Sequence, residues 1–231
     1  YDSRIKLEVS EAYLPMALMT NLFFEATSED GAWEVRNLTA DLWEGQIRTT
    51  GVFDVTSIPK INFNLYLQNV RFEKLVHLLT GHTNFRGTLG LNGQIVTNGV
   101  TLRRWIQNAQ TSFTMYAQNV AIEGFDMSSL IRSVGTMRTV ADVVNTTRVV
   151  MTKNRTIFSA MEGAFFVESG FLRTQALKLR SREVLGKATG SLNLINWTMD
   201  MDLQLGMISL GGATDYPTLG VLFRNSMDDP E

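Results

Sequence analysis

Ile61-Asn62-Phe63-Asn64-Leu65-Tyr66-Leu67-Gln68 puts Ile61, Phe63, Leu65 and Leu67 on one side of an extended chain and Asn62, Asn64 and Gln68 on the other. Trp197-Thr198-Met199-Asp200-Met201-Asp202-Leu203-Gln204-Leu205 repeats the alternation, with Trp197, Met199, Met201, Leu203 and Leu205 against Thr198, Asp200, Asp202 and Gln204. A period of two is the signature of a strand with one greasy and one wet face. A Gly-centred hairpin precedes each strand. Gly31, Leu38 and Gly51 recur as Gly170, Leu177 and Gly190, with spacings of 7 and 20 residues in both copies.

Outward from these two strands the chain reads as a succession of further strands. Alternation marks residues 5–9, 21–27, 32–42, 46–55, 85–97, 111–122, 156–168, 171–180, 187–194 and 219–223. Tight Gly, Asn and Pro turns join them, which implies antiparallel neighbours. Helical spacing is confined to Phe72, Leu75, Val76, Leu78 and Leu79, ended by Gly81, and to about 102–108; 128–152 reads as a helix followed by a loop. Asn69 to Leu75 and Gly124 to Leu130 share a layout of strand end running into a helical turn, with Asp126 placed to cap the second. The expected fold is therefore mainly β: an elongated, highly curved antiparallel sheet forming an open groove, with two or three short helices. No linker of biased composition divides residues 1–231, which read as a single region.

Composition narrows the function classes. The chain has 231 residues, a net charge of −2 and no cysteine. Absence of thiols excludes thiolate zinc sites, disulfides and thiol catalysis. No basic stripe is present to displace counterions, so nucleic acid is not an expected partner. The two histidines, His77 and His82, lack metal-ligand spacing, and Asp200 with Asp202 reads as a solvated row. Gly87 to Gly93 has the wrong spacing for a dinucleotide loop, and no Gly-x-Ser-x-Gly elbow occurs. The chain reads as a non-enzyme with no cofactor and no metal.

A greasy sheet face must meet something. It can close on itself as a sandwich or barrel, or stay open and shelter a hydrophobic ligand. Gly51, Gly87, Gly93, Gly163 and Gly190 fall in phase with the apolar positions, and glycine in a strand permits bending and close approach. Methionines on the same face (Met115, Met161, Met199, Met201) suit variable hydrocarbon. In the open reading the lining is Ile47, Phe53, Phe63, Leu65, Leu89, Leu91, Met115, Phe165, Leu192, Met199, Met201 and Leu203, acting collectively to solvate acyl chains. In the closed reading the same side chains are core.

Several stretches carry a family resemblance. Phe158 to Thr174, with Gly163 central in a strand and Gly170 in the following turn, resembles the C-terminal part of AsmA-family proteins. Lys187-Ala188-Thr189-Gly190-Ser191-Leu192-Asn193-Leu194, Trp197 to Met201, Gly31 to Asp54 and Phe125 to Ile131 continue the pattern in the same order. AsmA-like proteins resemble bridge-like lipid transfer proteins, built of repeating β-groove units. The resemblance implies a fragment of a longer protein with a membrane anchor outside this stretch. It also implies a periplasmic location tethered to the inner membrane of a Gram-negative cell, and movement or shielding of phospholipids between inner and outer membranes, with envelope proteins as partners. It supplies no catalytic residues. The alternative is a structural or assembly module, a closed β sandwich or barrel supporting outer-membrane protein biogenesis.

Overall fold

The computed structural model describes residues 3–14, 17–55, 57–80, 85–123, 126, 129, 155–208, 219–226 and 229–230. They build one antiparallel sheet of 13 strands in strict sequence order, open rather than closed into a barrel. The strands are β1 (Ser3–Leu14), β2 (Ala17–Glu29), β3 (Ala32–Leu42), β4 (Gly45–Asp54), β5 (Lys60–Arg71), β6 (Phe85–Asn98) and β7 (Gln110–Glu123). They continue as β8 (Arg155–Glu168), β9 (Phe171–Arg180), β10 (Val184–Asn193), β11 (Thr198–Met207), β12 (Leu219–Ser226) and β13 (Asp229–Pro230). Two helices, α1 (Phe72–Thr80) and α2 (Leu102–Asn108), sit at opposite ends of β6. At about 4.8 Å per strand, the sheet measures roughly 58 Å across its strands.

Turn chemistry explains the meander. Asp30-Gly31 (φ 46° and 83°), Trp43-Glu44 (50° and 65°) and Ser169-Gly170 (53° and 80°) each place two successive residues in the left-handed region. That is the two-residue hairpin whose twist matches the strands it joins. The Gly31 and Gly170 hairpins are structural copies. Val35 pairs with Gly51 and Leu38 with Thr49 across a bulge; 139 residues on, Thr174 pairs with Gly190 and Leu177 with Ala188 across another.

A second repeat emerges in three dimensions. Gln68-Asn69-Val70 in β5 and Gln118-Asn119-Val120 in β7 each hold their asparagine at positive φ, 55° and 50°. Each forms a bulge that reverses the phase of alternation, so that Leu67 and Val70, like Ala117 and Val120, are buried on one face. The expected likeness between Asn69–Leu75 and Gly124–Leu130 falls mostly outside the described residues, apart from Asp126, whose Oδ1 accepts from the Ser129 N–H at 2.9 Å. The nearer equivalent of Asn69 is Asn119.

Several strands run longer than expected, β1 over Ser3–Leu14 rather than 5–9 above all, β10 starts earlier at Val184, β13 is additional to the expected strands, and two limits have a local cause. β2 begins at Ala17 rather than residue 21, because Asn21 (φ 52°) makes a bulge that breaks the alternation there. Trp197 lies in the turn before β11 with φ 55° rather than in the strand itself. The helix-and-loop expectation for 128–152, apart from Ser129, and His82 lie outside the described residues.

Candidate functional site

Register fixes which side chains share a face, since antiparallel partners point the same way. Four rows cross the sheet from β4 or β5 to β11. The first runs Phe63, Ile95, Thr111, Val167, Leu172, Leu192, Met199. The second runs Thr49, Leu65, Gly93, Phe113, Phe165, Thr174, Gly190, Met201. The third runs Ile47, Leu67, Leu91, Met115, Gly163, Leu177, Ala188, Leu203. The fourth runs Val70, Leu89, Ala117, Met161, Leu179, Gly186, Leu205. Phe53, paired with Ile61, extends the face one step beyond the first row. All twelve residues expected to line a groove therefore lie on this one face.

Along β4–β11 the rows contain no Asp, Glu, Lys or Arg. Two of the three threonines in the rows turn their hydroxyls into the backbone. Thr49 Oγ1 donates to the Asn64 carbonyl at 2.8 Å and Thr174 Oγ1 to the Ala164 carbonyl at 2.9 Å. With the hydroxyl satisfied by a carbonyl of the adjacent strand, each threonine contributes little polarity to the face. Phe113 and Phe165 stack across β7 and β8, centroids 5.2 Å apart and planes 14° from parallel.

Burial grades across the rows. In the fourth, Leu89 is 1% exposed, Ala117 0%, Met161 6% and Leu205 0%. Here α1 seats Phe72 and Leu75 on the core, with the Phe72 and Phe85 rings 5.7 Å apart. The first row is half-buried throughout, from Phe63 to Met199. The face is thus closely packed at the α1 end and half-buried along the first row; one step further toward α2, Thr97, paired with Ile61, is 6% exposed with its hydroxyl on the Trp105 carbonyl of α2. Leu89 belongs to the packed end; Phe165 (8%) and Leu203 (7%) are also buried, and the other nine expected lining residues are half-buried. The periodicity passed over Thr49 and Thr174, which counted as polar, and Ile95 and Leu172, which are in phase.

The glycines of the face serve another end than ligand approach. A Cβ at Gly51 would lie 2.7 Å from the Phe63 Cα, one at Gly93 2.7 Å from the Phe113 Cα, and one at Gly190 2.8 Å from the Met201 Cα. Neighbouring strands, not a ligand, occupy the space these glycines leave.

The opposite face is polar and laced with exposed cross-strand pairs: Arg4–Glu25, Arg86–Glu123 at 3.0 Å and Lys178–Glu162 at 3.3 Å. A depression of about 650 Å³ opens there between Tyr66 and Tyr116 over Gly90, with Glu162 and Lys178 at its edge. Asp200 is exposed and Asp202 half-buried on this side, in register with Ser191 and Thr189. Among the described residues no group of three or more His, Asp or Glu is placed to hold a metal ion, and no helix is long and apolar enough to cross a membrane. No protein-family model, curated protein or solved structure matches the chain.

Proposed function

We propose that the apolar face is a collective hydrocarbon-binding surface of a lipid-transfer or lipid-shielding module. One observation carries the reading: the charge-free rows across β4–β11 remain half-buried, hence reachable, at their α2 end. Six or seven strand intervals give each row a length of roughly 29–34 Å. That is close to the full hydrocarbon thickness of a bilayer, about 30 Å, so a row can shelter acyl chains along their whole length. A phospholipid moved through water exposes about 28 methylenes at about 0.8 kcal/mol each, roughly 22 kcal/mol in all. A continuous oily strip offsets most of that, while the head group stays wet at the open end. Side chains act as a sum, and no single one is essential.

The resemblance to AsmA-like groove proteins extends the proposal to phospholipids travelling between the two membranes of a Gram-negative envelope. In that setting the chain works in the periplasm, tethered to the inner membrane by an anchor outside this stretch. The test is direct. Protein purified without detergent is extracted with organic solvent, and its native mass spectrum is recorded. We expect co-purifying phospholipid and adducts of lipid mass; a lipid-free extract with a single apo mass overturns the proposal.

A further inference from the structure

The α2 end of the sheet carries a second apolar feature, outside the rows. Among the described residues Val100 is 73% exposed, Leu102 69% and Ile58 54%, all large apolar side chains standing in solvent. They sit on two touching loops, because the Gly99 N–H donates to the Pro59 carbonyl at 3.0 Å. Nothing about the loop carrying Val100 and Leu102 is slack. The Trp105 Nε1–H donates to the Gly99 carbonyl at 2.5 Å, Thr97 Oγ1 donates to the Trp105 carbonyl at 2.6 Å, and Thr101 caps α2 by accepting from the Arg104 N–H at 3.2 Å. Gly99 takes φ 149°, and a Cβ there would strike the Arg104 and Trp105 side chains. A tied-down loop that holds Val and Leu outward forgoes burial that a relaxed loop could recover.

Arg103 and Arg104 stand exposed beside these tips, and among the described residues no ion pair holds either of them. Other charges along this end are answered or remote. Lys60 lies opposite Asp54 in the register, Glu168 is 3.7 Å from Arg173, and Glu29 and Asp30 lie beyond β4. The local field at α2 is therefore positive.

We propose that the Ile58, Val100 and Leu102 tips insert into the surface of an anionic bilayer, with Arg103 and Arg104 at the level of the lipid phosphates. Three protruding aliphatic side chains are too few for a stable protein interface, which needs about 800 Å² on each partner. They need no shape match in a fluid monolayer, and paired arginines favour anionic head groups. This contact does not depend on the rows holding lipid. It does bring the half-buried first row, which lies toward the α2 end of the sheet, near the bilayer surface.

The experiment is sedimentation with vesicles of phosphatidylcholine alone and of phosphatidylcholine with about one third phosphatidylglycerol, at about 0.1 M salt. We expect the full chain to bind the anionic vesicles and to release as salt rises. Val100→Asp with Leu102→Asp should weaken binding about tenfold or more, with an unchanged thermal midpoint. Arg103→Gln with Arg104→Gln should abolish the preference for anionic vesicles. Phe166→Asp, on an exposed apolar residue within the polar face, should bind as the parent does. No binding by the parent chain, full binding by the Asp pair, or equal loss with Phe166→Asp overturns the proposal. So does loss of self-association in the Asp pair, which would make a second copy the occupant. Lipid content on solvent extraction should be the same in parent and Asp pair, which separates this contact from the rows.

Discussion

At Gly51 and Gly190 the backbone adopts φ 146° and 142°, a region closed to L side chains, and a Cβ would also enter the neighbouring strand. Both positions pair beside a bulge in the strand that precedes theirs and stand opposite Phe63 and Met201 on the strand that follows. Gly90 has neither problem, since its Cβ would rest 3.6 Å from two carbonyl oxygens, an ordinary contact. We expect Gly51→Ala and Gly190→Ala each to lower unfolding stability by about 1–3 kcal/mol through backbone strain. Gly90→Ala should be neutral or slightly stabilising, because it stiffens the unfolded chain. Urea midpoints measure this; equal effects at Gly51 and Gly90 would show that the strained geometry is not what these glycines are for. That they belong to the apolar face was legible from phase alone. What fills the space they leave was not, because it depends on the adjacent strand's register.

The element scale shows where sequence reading runs out. Strands β4, β6, β8 and β9 announce themselves by alternation, since each keeps one face in oil and the other in water for most of its length. Bulges defeat the same test. After Asn21, Asn69 and Asn119 the buried positions switch from odd to even or the reverse, and a period-two scan reads the switch as a strand end. Thus the Ala17–Thr20 part of β2 and the Gln68-Asn69-Val70 repeat escaped notice, although Gln118-Asn119-Val120 matches it letter for letter. Asparagine is there because its side chain tolerates the left-handed region. Opposite the bulges at Asn69 and Asn119 stands a glycine: a Cβ at Gly45 would lie 2.5 Å from the Val70 nitrogen and one at Gly87 3.1 Å from the Val120 Cα. We expect Asn69→Val and Asn119→Val to cost about 1–2 kcal/mol each, and Asn→Gly at either site to be nearly neutral. Chemical denaturation of the four variants checks this; a tolerated valine would mean that the bulge is not held by the conformation of its asparagine.

For the whole molecule the deciding property is the gradient of burial from the fourth row to the first. Periodicity separated the two faces of the sheet correctly but could not tell packed core from open lining, because both need the same residue types. Packing makes the difference: Phe72 and Leu75 of α1 seat on the buried cluster to which most of the fourth row belongs, whereas every residue of the first row stays half-buried. A charge introduced at the two ends should therefore have opposite consequences. At Leu89, 1% exposed, a glutamate has no water and no counter-charge. It must be buried ionised, or take a proton, at a cost of several kcal/mol, which consumes much of the roughly 5–15 kcal/mol that holds a domain together. At Phe63 and Leu192, on the half-buried first row, a glutamate can reach solvent and leave the sheet standing. We expect Leu89→Glu to abolish the cooperative melt. Phe63→Glu combined with Leu192→Glu should keep a cooperative melt and far-ultraviolet dichroism while losing bound lipid in the native mass spectrum. If instead the double variant unfolds as Leu89→Glu does, the first row is as much a closed core as the fourth, and the face has no room for hydrocarbon from outside the chain.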